Sequence, residues 1–493
     1  MRYCQYKIWL LTMLLISGCR LADTNINPNA SSDAPVSSLL SGAEVALSFS
    51  LGVDAGLITS TVIQQASGAN GDATANDNYT AGPGRFNAVW TNFYYNSLEN
   101  LYLLKQKAQQ QNLPYYTGIS RILLTYGFGT LTDLFGDIPY AQALQLRAQT
   151  APVYDPQEQI YQALQLQLDT AIQELSQPAA SNQGALPASD DLIFSGDPKK
   201  WVAAAWTLKA RYAIHLSKQD KIKAAGNVLA ALYNNGSWRG IATTRQDAVL
   251  NFGSAATNAN PFYQQNTTRP GWIGLGAAFV NLLNGNGVKD TATQPAAALP
   301  DPRRAYFATP FPAGSPAYRG GIAGVPGAYS LIGSYFGTAT SPVILLSFAE
   351  AKFLEAEARL LINPADPLAQ SALKEAIRAS FEKVITNAED TFATPARQQA
   401  YIQAKATLTG TLATDLQTVI TQKYIALFLQ PEAWTDYRRT GYPDIPAARN
   451  ATHGFNPNGA IPRRFPYPQS EQSLNNHTPA GSNYQTPRLW WDQ

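Results

Sequence analysis

The chain has 493 residues and an almost balanced charge, with 36 Lys and Arg against 34 Asp and Glu. The formal net charge is +2, and Arg2 and Lys7 at the amino terminus contribute two positive charges. This balance argues against nucleic acid as a partner, because such binding needs a basic patch or stripe. Charged residues make up 14% of the chain and aromatic residues 11%, a composition that favours neutral ligands over ionic ones.

The amino terminus has the pattern of an export signal. Two basic residues precede an apolar stretch, 8–16, which is too short to span a bilayer and fits a signal peptide. Two small residues then precede Cys19, the pattern of a lipobox, the cleavage signal of bacterial lipoproteins. An ordinary signal peptide with a chance cysteine is the alternative. The other cysteine, Cys4, would leave with the signal, so no disulfide is expected within the mature chain.

Composition and periodicity divide the chain into segments of different character. No stretch after the signal is expected to be long and apolar enough to cross a membrane, so the lipid would be the tether. The expected segments are, in order: signal peptide 1–18; lipidated tether 19–36; one domain 37–493, with a helical scaffold at about 37–239 and 343–440, a loop-rich insert at about 240–342 and a carboxy-terminal tail 441–493.

Helical periodicity dominates outside the insert, with apolar residues recurring at steps of three and four. In 343–362 the pattern includes Leu346, Phe353 and Leu360, and Ser341-Pro342 supplies a plausible start signal. Short connections between the helices predict an all-α fold of tetratricopeptide-like helical hairpins. Helices are predicted at about 37–66, 86–111, 114–132, 156–176, 198–217, 219–234, 343–362, 366–388 and 411–429.

The insert 240–342 is rich in Gly, Pro, Asn, Thr and Ala and carries isolated aromatic residues. A long irregular segment within a helical protein is usually functional or disordered. The spaced aromatic residues argue against disorder, so we expect the insert to form the ligand side. The tail 441–493 has a similar composition and is expected to wrap over the helices.

Short motifs occur in a fixed order along nearly the whole chain. Each is weak alone, but together, behind a lipobox, they are specific. The motifs lie at 25–29 (Asn-Ile-Asn-Pro-Asn), 89–101 (starting Val-Trp-Thr-Asn), 131–140 (Leu-Thr-Asp-Leu-Phe-Gly-Asp-Ile-Pro-Tyr), 201–216, 301–303 (Asp-Pro-Arg), 349–358, 422–441 and 462–471. In this order they resemble the SusD/RagB family of outer-membrane nutrient-binding lipoproteins, nearer its SusD-like branch.

The resemblance implies about four tetratricopeptide-like hairpins and a partner. The partner is a TonB-dependent transporter of the SusC type, over which the lipoprotein acts as a lid. The implied ligand is an oligosaccharide or an oligopeptide, and the composition leaves that choice open. Exposure on the cell surface rests on the resemblance alone, because Asp23 is the only acid in the residues directly after Cys19.

Catalytic motifs are missing from the sequence, so we expect no enzyme and no cofactor. The three histidines, His215, His453 and His477, are scattered without metal-ligand spacing, and nucleophile-elbow and phosphate-loop motifs do not occur. The second alternative is a protein-interaction scaffold without a small-ligand site of its own. An open pocket in the insert would favour ligand capture over that alternative.

Two loops carry the candidate ligand-binding residues. The polar, glycine-rich segment 67–85 corresponds to a loop that often lies near the ligand in the family, and 261–275 places aromatic residues among Asn, Gln and Thr. An exposed Trp can stack on a sugar ring, although Trp272 could equally fill an apolar gap. The candidates are Asn70, Asp72, Asp77, Tyr79, Arg85, Tyr263, Arg269, Trp272 and Tyr318.

Overall fold

The computed structural model describes residues 34–145, 150–289 and 291–493. The predicted signal peptide, Cys19 and nearly all of the predicted tether lie outside the described residues. The helices, in chain order, are α1 Val36–Phe49, α2 Leu57–Val62, α3 Ala73–Asp77, α4 Asn87–Thr91, α5 Glu99–Gln110, α6 Pro114–Phe135, α7 Gln157–Leu175, α8 Pro198–His215, α9 Lys221–Leu232, α10 Pro261–Thr268, α11 Ala277–Leu283, α12 Arg304–Phe307, α13 Phe348–Ile362, α14 Pro367–Val384, α15 Pro395–Lys405, α16 Leu412–Ala426, α17 Glu432–Thr440 and α18 Gln469–Leu474.

Short strands and other helical turns complete the described structure. A π-helical segment, Ser50–Gly56, joins α1 to α2, and a second, Asn92–Leu98, joins α4 to α5. The strands form separate antiparallel pairs, β1 with β5, β2 with β3 and β4 with β6. Their bounds are β1 Ala66–Gly68, β2 Tyr233–Asn234, β3 Ser237–Trp238, β4 Ala248–Leu250, β5 Ile273–Leu275 and β6 Val343–Leu346.

The helices stack as four hairpins, which confirms the predicted all-α, tetratricopeptide-like fold. Helix α1 packs on α5, α6 on α7, α8 on α9 and α13 on α14. Neighbouring hairpins touch through α7 with α8 and α9 with α13. The contact between α9 and α13 joins the scaffold before the insert to the scaffold after it. The chain therefore leaves the helical stack after α9, forms the insert, and returns to the stack beside α9.

Local start signals set several helix boundaries. Proline occupies the first position of α6, α8 and α14, where its missing N–H costs nothing and its fixed φ suits the helix. Asp197 accepts a hydrogen bond from the Lys199 backbone N–H at 2.9 Å and caps α8. Asp220 and Asp366 cap α9 and α14 in the same way.

The predicted start of the helix at 343–362 is wrong. Residues Val343–Leu346 form strand β6, whose side chains are all buried, and β6 pairs with β4. The helix begins at Phe348, and the Ser347 hydroxyl caps it by accepting a bond from the Glu350 N–H at 3.2 Å. A run of branched apolar residues that is buried on both faces has no helical period, which explains the error.

The helical segment Val36–Val62 differs from the expectation that no stretch after the signal could cross a membrane. Its 27 residues are long and apolar enough by length and composition. However, 72% of its most apolar window is buried within the protein, where α1 packs against α5. A core helix passes the same length and composition test, so the burial accounts for its apolar character.

A set of buried charged side chains, here called the ionic junction, holds the later helices together. Its members are Arg211, Glu350, Glu357, Lys423, Glu432, Asp436 and Arg439, each at most 6% exposed. Arg211 on α8 donates two hydrogen bonds of 2.6 Å to Glu350 on α13. Arg439 on α17 pairs with Glu357 and, at 2.6 Å, with Asp436. These bidentate pairs fix the relative placement of α8, α13 and α17.

Aromatic residues in the segment 441–493 pack onto the helices. Phe465 stacks on Trp434 with ring centroids 5.1 Å apart, and the fully buried Trp491 donates its indole N–H to Asp133 at 3.1 Å. Within the same helix, the Arg438 guanidinium lies 3.8 Å from the Trp434 ring centroid. Trp434 is fully buried, so this motif belongs to the framework of the fold.

Candidate functional site

Strands β1 and β5 bring together the two loops that the sequence singles out. Ala66 pairs with Leu275 and Gly68 with Ile273 in an antiparallel ribbon. The ribbon continues into the loops, because the Ala69 N–H donates to the Trp272 carbonyl at 2.8 Å. The segments 67–85 and 261–275 therefore form one surface although almost 200 positions separate them in the chain.

A groove of about 910 Å³, here called the ribbon groove, opens beside this ribbon. Among the described residues that line it, none carries a charged side chain. The walls come from the ends of the ribbon and from two further stretches of the insert. The lining residues are Ala69, Asn70, Pro270, Gly271, Ile273, Gly274, Thr309, Pro310, Phe311, Ala313, Pro326, Gly327, Ala328, Tyr329 and Leu331.

Trp272 lies at the edge of the ribbon groove and is half-buried. A β-carbon built on Gly71 would come within 2.7 Å of the indole, and Gly71 has a φ of +56°. Glycine is therefore needed at position 71, both for the backbone conformation and for the close approach of the ring. The Arg269 guanidinium lies 4.8 Å from the indole centroid, so the ring is held from the loop and from its own segment.

Exposed charges surround this edge, and we call Asp72, Arg85 and Arg269 the loop charges. The charges of Asp72 and Arg269 both act on the Arg85 guanidinium, as does that of Asp54. The three residues are exposed, so they can reorganise their hydrogen bonds when a polar ligand arrives. Together with Asn70, which is exposed and lines the groove, they are the candidates that the structure gathers around Trp272.

Asp77 and Tyr79 lie beneath this surface. The buried Asp77 carboxylate accepts hydrogen bonds from the Gly68 N–H at 3.1 Å and the Gly324 N–H at 2.6 Å. The Tyr79 hydroxyl donates to the Val62 carbonyl at 3.3 Å, and burial raises the pKa of Tyr79. Asp77 thus ties β1 to the groove wall, and both side chains support the ribbon from within.

The remaining candidates lie apart from Trp272. Tyr263 is 37% exposed on α10, and Tyr318 is half-buried with the Arg304 guanidinium 4.6 Å from its ring. Phe311 and Tyr329, two of the isolated aromatic residues of the insert, both line the ribbon groove. Both residues lie far along the chain from Asn70, which also lines the groove, and no local sequence signal brings these stretches together.

The structure combines a stack of helical hairpins with an irregular, grooved insert. The sequence matches a family model described as "Starch-binding associating with outer membrane" over residues 28–468. The chain therefore belongs to the SusD/RagB family, in its SusD-like branch. No curated protein sequence matches the chain.

Solved structures of the same fold cover almost the whole chain. A chitin-binding SusD homolog from Flavobacterium johnsoniae is 23% identical, with a TM-score of 0.74 over 92% of this chain and 98% of that chain. A SusD/RagB family protein from Bacteroides thetaiotaomicron is 22% identical, with a TM-score of 0.70 over 93% and 99%. A SusD homolog from Bacteroides uniformis is 24% identical, with a TM-score of 0.72 over 93% and 98%. At these identities the likeness establishes the fold.

Proposed function

We propose that this protein is a lipid-anchored nutrient-binding protein of the outer membrane, which captures oligosaccharides and delivers them to a SusC-like TonB-dependent transporter. The observation that carries the proposal is the ribbon groove. Its volume of about 910 Å³ falls in the range of small-ligand sites, about 300–1,000 Å³. It is formed by the insert in which the sequence predicts the ligand side.

The lining of the groove favours a neutral, ring-shaped ligand. The half-buried Phe311 offers aromatic surface, and Trp272 adds a half-buried indole at the edge, whereas Tyr329 lines the groove but is largely buried. Apolar ring faces suit the C–H faces of sugars, while Asn70 and the loop charges can hydrogen-bond sugar hydroxyls. The structurally similar chitin-binding homolog supports this ligand class. An oligopeptide could use the same groups through its backbone, and it is an outcome of the test below.

The groove also bears on the alternatives. An open groove in the insert favours ligand capture over a scaffold that only binds proteins. A glycoside hydrolase places two carboxylates beside the scissile bond, about 5–10 Å apart. The described residues that line the ribbon groove include no Asp or Glu, which supports binding without cleavage.

The membrane part of the proposal rests on Cys19 and on the division into signal peptide, tether and single domain predicted from the sequence. Replacing Cys19 with Ala in the producing bacterium should move the protein from the membrane fraction to the soluble fraction. Purification of the wild-type protein from mildly solubilised membranes should co-purify a TonB-dependent barrel. If no barrel is recovered, the transporter partnership is wrong.

The ligand proposal is tested with a groove-blocking variant. Ala328 is exposed and lines the ribbon groove, so Ala328→Trp fills the groove without disturbing the core. Ala413→Trp places the same ring on an exposed face of α16 and serves as the matched control. Isothermal titration should show that Ala328→Trp weakens binding of chitin-derived or starch-derived oligosaccharides by at least about tenfold, and that the control does not.

Two results would contradict this proposal. If the wild-type protein binds neither oligosaccharide series but binds peptides, the ligand class is wrong. If oligosaccharides bind Ala328→Trp and wild type equally, the site is elsewhere.

A further inference from the structure

A second groove, here called the amide groove, shares a wall with the ribbon groove. It has a volume of about 560 Å³ and lies between α1, the two π-helical segments and α10. Gln264, Gln265 and Thr268 of α10 line the amide groove, and Pro270, Gly271, Ile273 and Gly274, which follow in the same segment, line the ribbon groove. The segment 261–274 therefore borders both grooves, with its first part on the amide groove and its last part on the ribbon groove.

The amide groove has a polar wall and an apolar wall. Asp54, Asn92 and Asn96 face the α10 amides, and the side chains of Val45, Phe49 and Val53 line the rest. Side-chain amides each offer two donors and an acceptor, and the apolar wall provides a surface for ring faces. This combination suits a neutral, polyhydroxylated ligand better than an ionic one.

Hydrogen bonds link the polar residues of this wall to one another. Asn96 donates to the Asn92 side-chain oxygen at 2.7 Å, and Asn92 donates to Asp54 Oδ2 at 2.6 Å. Among the described residues, none donates a hydrogen bond to the other carboxylate oxygen, Asp54 Oδ1. Burial raises the pKa of Asp54 to about 6. Above that pH the carboxylate is a strong acceptor for a hydroxyl hydrogen.

The polar wall is built on irregular helix. Asp54 belongs to the π-helical segment Ser50–Gly56, and Asn92 and Asn96 belong to the segment Asn92–Leu98. The two segments touch through a hydrogen bond of 3.1 Å between the Ser50 and Ser97 hydroxyls. π-Helical turns are rare and occur mostly at functional sites. Two π-helical segments in one wall therefore support a functional role for the amide groove.

The charge of one amide-groove residue reaches the loop charges at the edge of the ribbon groove. The charge of Asp54 acts on Arg85, and so do those of Asp72 and Arg269. Arg269 in turn lies against Trp272. Asp54 and Asp72 together balance the charges of Arg85 and Arg269.

We propose that the amide groove is a second binding region for the same oligosaccharide chain that occupies the ribbon groove, so that the protein recognises chains long enough to cross the segment 261–274. This inference rests on the proposed function, because it assumes an oligosaccharide in the ribbon groove. It adds a specificity: long chains engage both grooves and bind more tightly than short ones, since the second contact forms within an existing complex.

Gly42 offers a selective way to close the amide groove. It lines the groove on α1, and a β-carbon there meets no atom within 4 Å. Gly42→Tyr therefore adds a ring to the groove lining at a position where the β-carbon meets no neighbour, and it removes a helix-destabilising glycine. Gly226 on α9 is equally open and exposed, so Gly226→Tyr makes the same change in a helix away from both grooves.

Titration calorimetry with a short and a long oligosaccharide of the chitin-derived and starch-derived series tests the proposal. We expect wild type and Gly226→Tyr to bind the long chain at least about tenfold more tightly than the short one. Gly42→Tyr should bind the short chain as wild type does and lose the advantage of the long chain. Ala328→Trp should lose both.

The outcomes separate the two proposals. If wild type binds both lengths equally, or if Gly42→Tyr keeps the advantage of the long chain, the amide groove is not part of the site and the ribbon groove stands alone. If Gly42→Tyr abolishes short-chain binding as well, the amide groove is the primary site, and a second region is again wrong. If no oligosaccharide of either series binds wild type, the proposed function itself fails.

Discussion

In the scaffold, charged side chains are buried among α8, α13, α16 and α17, whereas the walls of the ribbon groove are uncharged. Burying a charge is costly unless a partner and further hydrogen bonds satisfy it. The ionic junction meets that condition with bidentate pairs such as Arg211 with Glu350. In a chain that is only 14% charged, a large part of the ionic chemistry thus fixes helix placement and leaves the ligand side neutral.

The comparison predicts that the largest loss of stability follows from breaking a pair in the ionic junction. Arg439→Met leaves Glu357 and Asp436 buried without the guanidinium that pairs with both. We expect the free energy of unfolding to fall by about 3–5 kcal/mol, measured by urea denaturation. Arg378→Met, on the exposed face of α14, is the control and should change it by less than about 0.5 kcal/mol.

A loss below about 1 kcal/mol for Arg439→Met would contradict the role given to the junction. The oligosaccharide affinity of the folded variant should equal that of wild type. If affinity fell in step with stability, the separation between the scaffold and the ligand side would be wrong.

A second test concerns a proton on Glu432, where the ionic junction meets His215. The Tyr161 hydroxyl donates its only hydrogen to Asp133, so the contact of 2.8 Å between Tyr161 and His215 Nδ1 needs the hydrogen on Nδ1. Neutral His215 then presents a bare Nε2 to Glu432 Oε1 at 2.9 Å, and Glu432 must carry a proton. Burial, aided by Asp436, raises the pKa of Glu432 to about 7, and burial lowers that of His215 to about 4.

The two groups have opposite effects on the pH dependence of stability. The pKa of Glu432 is raised from 4.5, so its contribution is complete below pH 4.5 and is lost as the pH rises to about 7. The pKa of His215 is lowered from 6.5, so its contribution is lost as the pH falls from 6.5 to about 4. In the wild-type protein the two slopes cancel between pH 4.5 and 6.5.

Glu432→Gln separates these slopes, because Gln can donate to His215 Nε2 but cannot ionise. Arg211, Lys423 and Arg439 also face Glu432 and favour its charged form, although burial outweighs them. The stability of the variant relative to wild type should therefore improve as the pH rises from 4.5 to 7, by at most about 3 kcal/mol. Parallel urea denaturation of both proteins across this range measures the difference. A difference that is constant with pH would show that Glu432 is ionised throughout.

The sequence predicted the scaffold better than the site, and the reason is physical. Helical hairpins follow from a local period of apolar residues, from prolines such as Pro198 and from caps such as Asp197. Helix α15 was missed because it buries only Tyr401 and Ile402, which leaves little apolar period. The junction partners Glu350 and Glu357 were recognisable as two acids on one helix face, and Arg211 and Arg439 are their partners.

The site depends on contacts between segments that are far apart in the chain. The loops around Asn70 and Trp272 were identifiable from composition, but the β1–β5 register that joins them was not. Phe311 enters the ribbon groove from a third stretch of the insert, where no local pattern marks it. Strand pairs of three residues carry too little alternation to be predicted from the sequence alone.

Trp272→Ala has the smallest expected effect on stability. It also allows a direct comparison between a tryptophan of the ligand side and a tryptophan of the scaffold. Trp272 is half-buried beside the ribbon groove, and Trp206 on α8 is half-buried with Arg239 3.7 Å from its ring centroid. Each ring lies against an arginine, so removal of either should cost a similar modest stability, about 1–2 kcal/mol. Only Trp272→Ala should weaken oligosaccharide binding, by about tenfold. If Trp272→Ala lowers stability much further and leaves the affinity of the folded protein unchanged, the indole fills an apolar gap, and ligand stacking falls to Phe311.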